Sequence, residues 1–177
     1  MIQETQIIQD CLKGDIEGFG LLVKKYQNSL LSTAYRFLGN WDDARDAAQD
    51  AFVKAYRSLP RFNQASRFSP WLHRILVNAC LDRLKSAHRR YRSSLNAEMN
   101  EETTSNPLSM LAEDELFQKA LSRLSTKKRR AFTLVDLEGF SGPEAAEILG
   151  CSESTVRVTV MKARQQLRKT YIELNAL

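Results

Sequence analysis

Cysteine, histidine and the dipeptides that turn hairpins are all scarce in this chain. Its three cysteines, Cys11, Cys80 and Cys151, are far apart and form no C-x-x-C pair. That spacing argues against a disulfide framework or a thiolate metal site, and each reads as a small residue in a reducing compartment. The two histidines, His73 and His88, fall on one predicted helix with no carboxylate or nucleophile grouped around them. No metal, cofactor or catalytic residue is therefore expected, and the chain does not read as an enzyme. Neither Asn-Gly nor Asp-Gly occurs anywhere, so the strongest hairpin signal is missing. No apolar run approaches the roughly 20 residues of a membrane helix, and the N-terminus lacks a signal-peptide core. A cytoplasmic, all-α protein without membrane insertion is expected.

Charge is plentiful but unevenly spread. The net charge is +5 and the sequence pI about 9.2, which favours a polyanionic partner without identifying one. From Lys54 to Arg92 the only acid is Asp82; from Ser93 to Glu115 there is no Lys or Arg at all. A basic block, an acidic spacer and a basic C-terminus point to two units rather than one uniform surface.

Helical periodicity dominates the rest. Thr5 is expected to cap a short helix ending at Gly14. Asp15 opens a longer one that stops at Gly39-Asn40, and Asp42 is expected to cap a third that ends before Pro60. A loop precedes a fourth helix from about Arg67 to Arg90, where Pro70 is tolerable only in the first turn. The polar, acidic stretch 93–112 suits a flexible linker. A second helical unit, 113–177, follows the first, 1–92, giving two small helical domains on a tether.

Residues 142–161 carry the sharpest local signal. Pro143 fits a first helical turn, Gly150 sits where that helix must end, and Ser152 can cap the next one. The second helix sets Val156, Val160, Ala163 and Leu167 on one stripe. Ser154, Thr155, Arg157, Val158, Thr159 and Lys162 are left pointing outward, as a recognition helix in the major groove requires. Lys162, Arg164, Arg168 and Lys169 add a basic tail.

Two further faces stand out. Ala44, Ala47, Ala48, Ala51 and Ala55 share one side of the third helix; Asp42, Asp46, Gln49, Asp50, Val53 and Arg57 share the other. The acidic side fits either a solvated surface or a docking face for a basic protein. On the fourth helix Arg74, Asn78, Lys85 and Arg89 form an arc with Trp71 at its edge, just after a loop holding Phe62, Asn63 and Gln64. Cations, an amide and an exposed aromatic are the equipment for stacking and reading an unpaired base. Phe68 reads as core, whereas Trp71 fits core packing and a wedge on DNA equally.

Four pieces, in order, resemble the sigma-70 superfamily of bacterial transcription initiation factors. They are Gly14-Asp15-x-x-Gly18-Phe19, Asp46-Ala-Ala-Gln-Asp-Ala-Phe52, Phe68-x-x-Trp71-Leu-x-Arg74-Ile-x-x-Asn78-x-x-x-Asp82, and the helix-turn-helix with Thr155-Val-Arg157 and Lys162-Ala-Arg164. The short length and bare linker look like the extracytoplasmic function (ECF) group. The resemblance implies a non-enzymatic factor that binds RNA polymerase core and directs it to promoters. Asp46, Gln49, Asp50 and Val53 would dock on the clamp of the largest polymerase subunit, and the clamp and flap regions of core are the implied polymerase partners. Phe62, Asn63, Trp71, Arg74, Asn78 and Lys85 would serve the −10 element, with a base flipped out beside Phe62. The outward residues of the last helix would read the −35 element. The linker would run towards the RNA exit channel. An anti-sigma factor is an implied partner, and the chain would be a monomer without partners.

This chain has Val158 and Thr159 where relatives often carry a small polar and a basic residue. Their methyl groups favour thymine methyls, so a −35 preference leaning on A·T pairs is expected. Gly18 and Ser154 are mild departures. A stand-alone helix-turn-helix regulator is the competing reading, but it leaves the acidic face and the Phe62 loop without a use.

Overall fold

Asn40, not Asp42, opens the third helix of the computed structural model, which describes residues 2–93 and 115–175. Its extended backbone (φ −132°, ψ 132°) lets the side-chain oxygen accept the N–H groups of Asp42 at 2.9 Å and Asp43 at 3.0 Å. Two otherwise orphaned donors are thereby satisfied. Trp41 becomes the first helical residue, buried and stacked on Tyr35 at 4.0 Å between ring centroids. The first helix also departs from expectation. It starts at Ile2, so Thr5 lies inside it. Its first turn is tied to the next helix by Glu4, which pairs with Lys25 and accepts from Tyr26 Oη at 2.7 Å.

Every regular element among the described residues is helical. The N-terminal unit comprises α1 (Ile2–Leu12), α2 (Ile16–Leu38), α3 (Trp41–Ser58), a 3-10 turn (Leu59–Arg61) and α4 (Phe68–Ser93). The C-terminal unit comprises α5 (Glu115–Ser122), α6 (Thr126–Phe132), a π-helical turn (Thr133–Leu137), α7 (Gly142–Leu149) and α8 (Glu153–Asn175). The expected linker, apart from Ser93, lies outside the described residues. No helix among the described residues is long and apolar enough to cross a membrane.

Other sequence expectations hold. Asp15 caps α2 by accepting the Gly18 N–H at 3.1 Å, and Gly39 ends it in the left-handed conformation. The five alanines of α3 are all buried, which lets α2 and α4 pack closely on either side.

The two units do not hang apart. Ala131, Leu134, Phe140, Ala145, Ala146, Ile148, Val156 and Val160 join the same apolar core as Leu22, Leu30, Phe37, Leu72 and Leu76. Helix α7 packs against α4, and α6 against α2. A smaller cluster around Leu121, Leu124, Phe132 and Leu167 holds α5, α6 and α8 together.

Candidate functional site

Three polar surfaces emerge from this packing. On α3, burial of the alanines turns Asp46, Gln49, Asp50 and Val53 outward, and all four are exposed. Arg83 of α4 underpins the carboxylates, reaching Asp46 at 3.3 Å, Asp50 at 3.1 Å and Asp43 at 3.7 Å. Their outer edges remain open, since the side chains of Asp46 and Asp50 are 59% and 55% exposed. Alongside runs a shallow apolar groove lined by Ile16, Phe19, Phe52, Val53 and Tyr56. The face thus sets carboxylates beside exposed apolar side chains. The sequence reading missed Ile16 and Tyr56; their signal was bulk at outward helical positions.

The second surface lies at the loop after the 3-10 turn. Phe62 was expected to be exposed, but it is only 8% accessible. Its ring packs 5.6 Å from Phe68 and 4.9 Å from Trp71, centroid to centroid. The preceding 3-10 turn, with Leu59 buried, rolls the ring inward, where apolar burial is worth about 2 kcal/mol. Phe62 therefore forms a wall rather than a free-standing stacking platform. A cavity of about 340 Å³ lies on one side of it, lined also by Lys25, Tyr26, Gln64 and Arg67. A second, of about 380 Å³, lies towards Asn63, Trp71, Glu144 and Glu147. Asn63 shapes the loop itself, since its side-chain oxygen accepts the Ala65 N–H at 3.0 Å. Trp71 is half-buried, between its two expected roles.

Arg74, Asn78 and Lys85 are exposed along α4, while the side chain of Arg89 lies outside the described residues. Lys25 and Arg67 are cations at the cavity that the sequence reading did not single out. Lys24-Lys25, two adjacent cations just before Tyr26, was the available hint.

The third surface is the helix-turn-helix. A capping box fixes the start of α7: Glu144 N–H reaches Ser141 Oγ, and the Glu144 carboxylate accepts the Ser141 N–H at 2.9 Å. Gly150 ends α7 at φ +64°, and Ser152 Oγ accepts the Thr155 N–H at 3.3 Å. Val156, Val160, Ala163 and Leu167 are buried as expected. Ser154, Arg157, Val158 and Lys162 are exposed; Thr155 and Thr159 are half-buried in a groove that Lys127 and Lys128 of α6 also line. Those two lysines extend the cationic surface beyond α8. Arg164 of the basic tail is instead engaged by Asp136, with Nη2 to Oδ1 at 2.6 Å.

No nucleophile stands out among these groups. Burial pushes the Cys80 thiol up to about 12. Burial, then the charges of Asp15 and Asp10, raise that of Cys11.

A family model for sigma-70 region 2 matches residues 22–90, and one for sigma-70 region 4 matches residues 114–167. The chain belongs to the sigma-70 family. It is an RNA polymerase sigma factor of the ECF type, a promoter-specific initiation factor. It is 33% identical to the RNA polymerase sigma-H factor of Pseudomonas aeruginosa, over 94% of this chain and 93% of that one. It is 35% identical to the ECF RNA polymerase sigma-E factor of Escherichia coli K12, again over 94% and 93%. Among solved structures it is similar to the sigma factor RpoE of Bartonella quintana, crystallised with the anti-sigma factor NepR. That match has a TM-score of 0.78 and 28% identity, covering 88% of this chain and 97% of the other. It is also similar to CnrH in complex with the cytosolic domain of CnrY, with a TM-score of 0.69 and 27% identity over 94% and 96%. The sigma-factor fold thus places region 2 in the N-terminal unit and region 4 in the C-terminal one.

Proposed function

We propose that this sigma factor divides its work among the three surfaces. The exposed Asp46, Gln49, Asp50 and Val53, with the adjoining apolar groove, dock on the clamp of the largest polymerase subunit; residues 113–177 engage the flap. The loop at Phe62 and the α4 edge serve the −10 element. The flipped base enters a cavity walled by Phe62, while Asn63, Trp71, Arg74, Asn78 and Lys85 line the path of the strand. Unstacking a base takes a few kcal/mol, which an aromatic wall and flanking cations can offset. Ser154, Thr155, Arg157, Val158, Thr159 and Lys162 read the −35 element, with Val158 and Thr159 favouring thymine methyls. Residues 1–92 and 113–177 act as the two domains, and 93–112 as the linker towards the RNA exit channel. The protein works in the cytoplasm, is a monomer without partners, and is held by an anti-sigma factor, as the solved complexes of similar sigma factors suggest.

The observation that carries this reading is one chain with acids and apolar side chains on α3 and cations at two separate nucleic-acid-type surfaces. Gel filtration with purified polymerase core tests it. The wild type should co-elute with core, and Asp46→Lys with Asp50→Lys should abolish co-elution while leaving the helical signal intact. Co-elution of the reversed variant at wild-type affinity would remove α3 from the interface.

A further inference from the structure

The groove between α6 and α8 is built from a narrow choice of side chains. It encloses about 460 Å³, with Lys127 and Lys128 lining it from α6 and Lys162 from α8. Ser125, Ser154 and Thr155 add hydroxyl groups, and among the described residues no carboxylate lines it. Other cations on α8 are paired: Arg164 is held by Asp136, and Lys169 lies 3.9 Å from Glu173. Three ammonium groups about one cleft repel one another and draw in an anion instead.

Lys128 is also aimed. Its Nζ donates to Gln166 Oε1 at 2.8 Å, and Gln166 Nε2 donates to the Arg123 carbonyl at 3.0 Å. Gln166 lies one turn beyond Lys162 on α8, so this chain of bonds ties the α6 cation to the last helix. A neutral amide sets the direction of the ammonium and leaves its charge whole. An ammonium carries three donors, so two stay available. A lysine meets phosphate as a compact point charge, and hydroxyl groups are ordinary partners of phosphate oxygens. Helix α6 stands outside the helix-turn-helix proper, α7 and α8. When the second helix of that motif enters a major groove, side chains flanking it meet the sugar-phosphate rim.

We propose, on the reading of α8 as the −35 helix, that Lys127 and Lys128 clasp the phosphates of one strand at the rim of the −35 major groove, with Gln166 as the positioning residue for Lys128. The C-terminal unit then carries a cleft for backbone beside a helix face for bases. The two lysines fix register and add affinity without base preference, because phosphates carry no sequence.

The test uses holoenzyme assembled from core and the full chain. Its probe is the duplex that wild-type holoenzyme enriches from a randomised pool, titrated between about 50 and about 200 mM salt. Each phosphate contact removed flattens the slope of log affinity against log salt by about 0.9. Lys127→Ala with Lys128→Ala should therefore bind more weakly at the lower salt, and should lose about tenfold less affinity than wild type across that range. It should still enrich the same bases. Gln166→Glu keeps the bond to Lys128 but cancels its charge, so it should lose about threefold less, with unaltered thermal melting. A wild-type slope in the double variant overturns the clasp, and one in Gln166→Glu overturns the positioning role. A change of enriched bases at wild-type slope overturns the assignment to phosphate. Arg157→Ala separates the remaining failures. If it alters the enriched bases while the lysine variants alter nothing, the −35 reading stands and the clasp falls. If none of these variants alters slope or bases, the reading of α8 itself has failed.

Discussion

His73 is 1% exposed, with its Nδ1 2.9 Å from the Ser69 carbonyl and Nε2 3.2 Å from Ser29 Oγ. Burial lowers its pKa and outweighs the Ser69 hydrogen bond and the Glu138 charge, both of which favour the protonated ring. The unfolded chain, with an ordinary histidine near about 6.5, then binds more protons than the native one below that pH. The stabilisation is complete above pH 6.5 and is lost as the pH falls below it. Urea titrations at pH 7.5 and 5.5 should show that loss in the wild type, and His73→Gln should flatten the difference. Arg83 offers a second residue-scale prediction. It holds three acids of α3, so Arg83→Ala should destabilise the fold by about 1 kcal/mol at low salt, and by less in 1 M salt. A salt-independent loss would mean that Arg83 acts by packing alone. At this scale the sequence spoke clearly where periodicity applies, as at Val156 and Val160, and poorly where it does not. Nothing in a loop's composition tells which way the Phe62 ring turns, and Arg67 is separated from Glu144 by 77 positions.

Element α3 was legible because one run of small residues can mean little but close helix packing. Ala51 is fully buried there, so Ala51→Leu should overpack the bundle and destabilise it by about 1–3 kcal/mol in urea. The α7–α8 turn was equally legible. A Cβ on Gly150 would meet nothing within 4 Å, so Gly150→Ala should lose only the backbone term of φ +64°, about 1 kcal/mol. A much larger loss in thermal melting would point to a contact the turn does not contain. Helix starts were harder to place. Asn40 and Asp42 are both good caps, and backbone conformation chooses between them. The π-helical turn was invisible to a pattern search built on 3.6 residues per turn, although it aims Glu138, which joins the two units by its pair with Arg36.

As a whole molecule, the sigma factor was expected to be two units on a tether, and composition supported no more than that. Their shared core depends on complementarity between helices far apart in sequence, which leaves no periodic trace. One core implies one cooperative event. Calorimetry should show a single transition for the wild type and two separable ones for Glu138→Ala; two in the wild type would contradict the shared core. The junction also imposes an order in time. Arg36 and Glu138 are 102 positions apart, so a ribosome adding about 5–20 residues per second finishes α2 many seconds before Glu138 emerges. Throughout that interval the nascent N-terminal unit carries Arg36 without its carboxylate, and Leu72 and Leu76 without the α6 and α7 side chains that later share their core. A chain still being made therefore completes α2 well before the residues that finish its core exist.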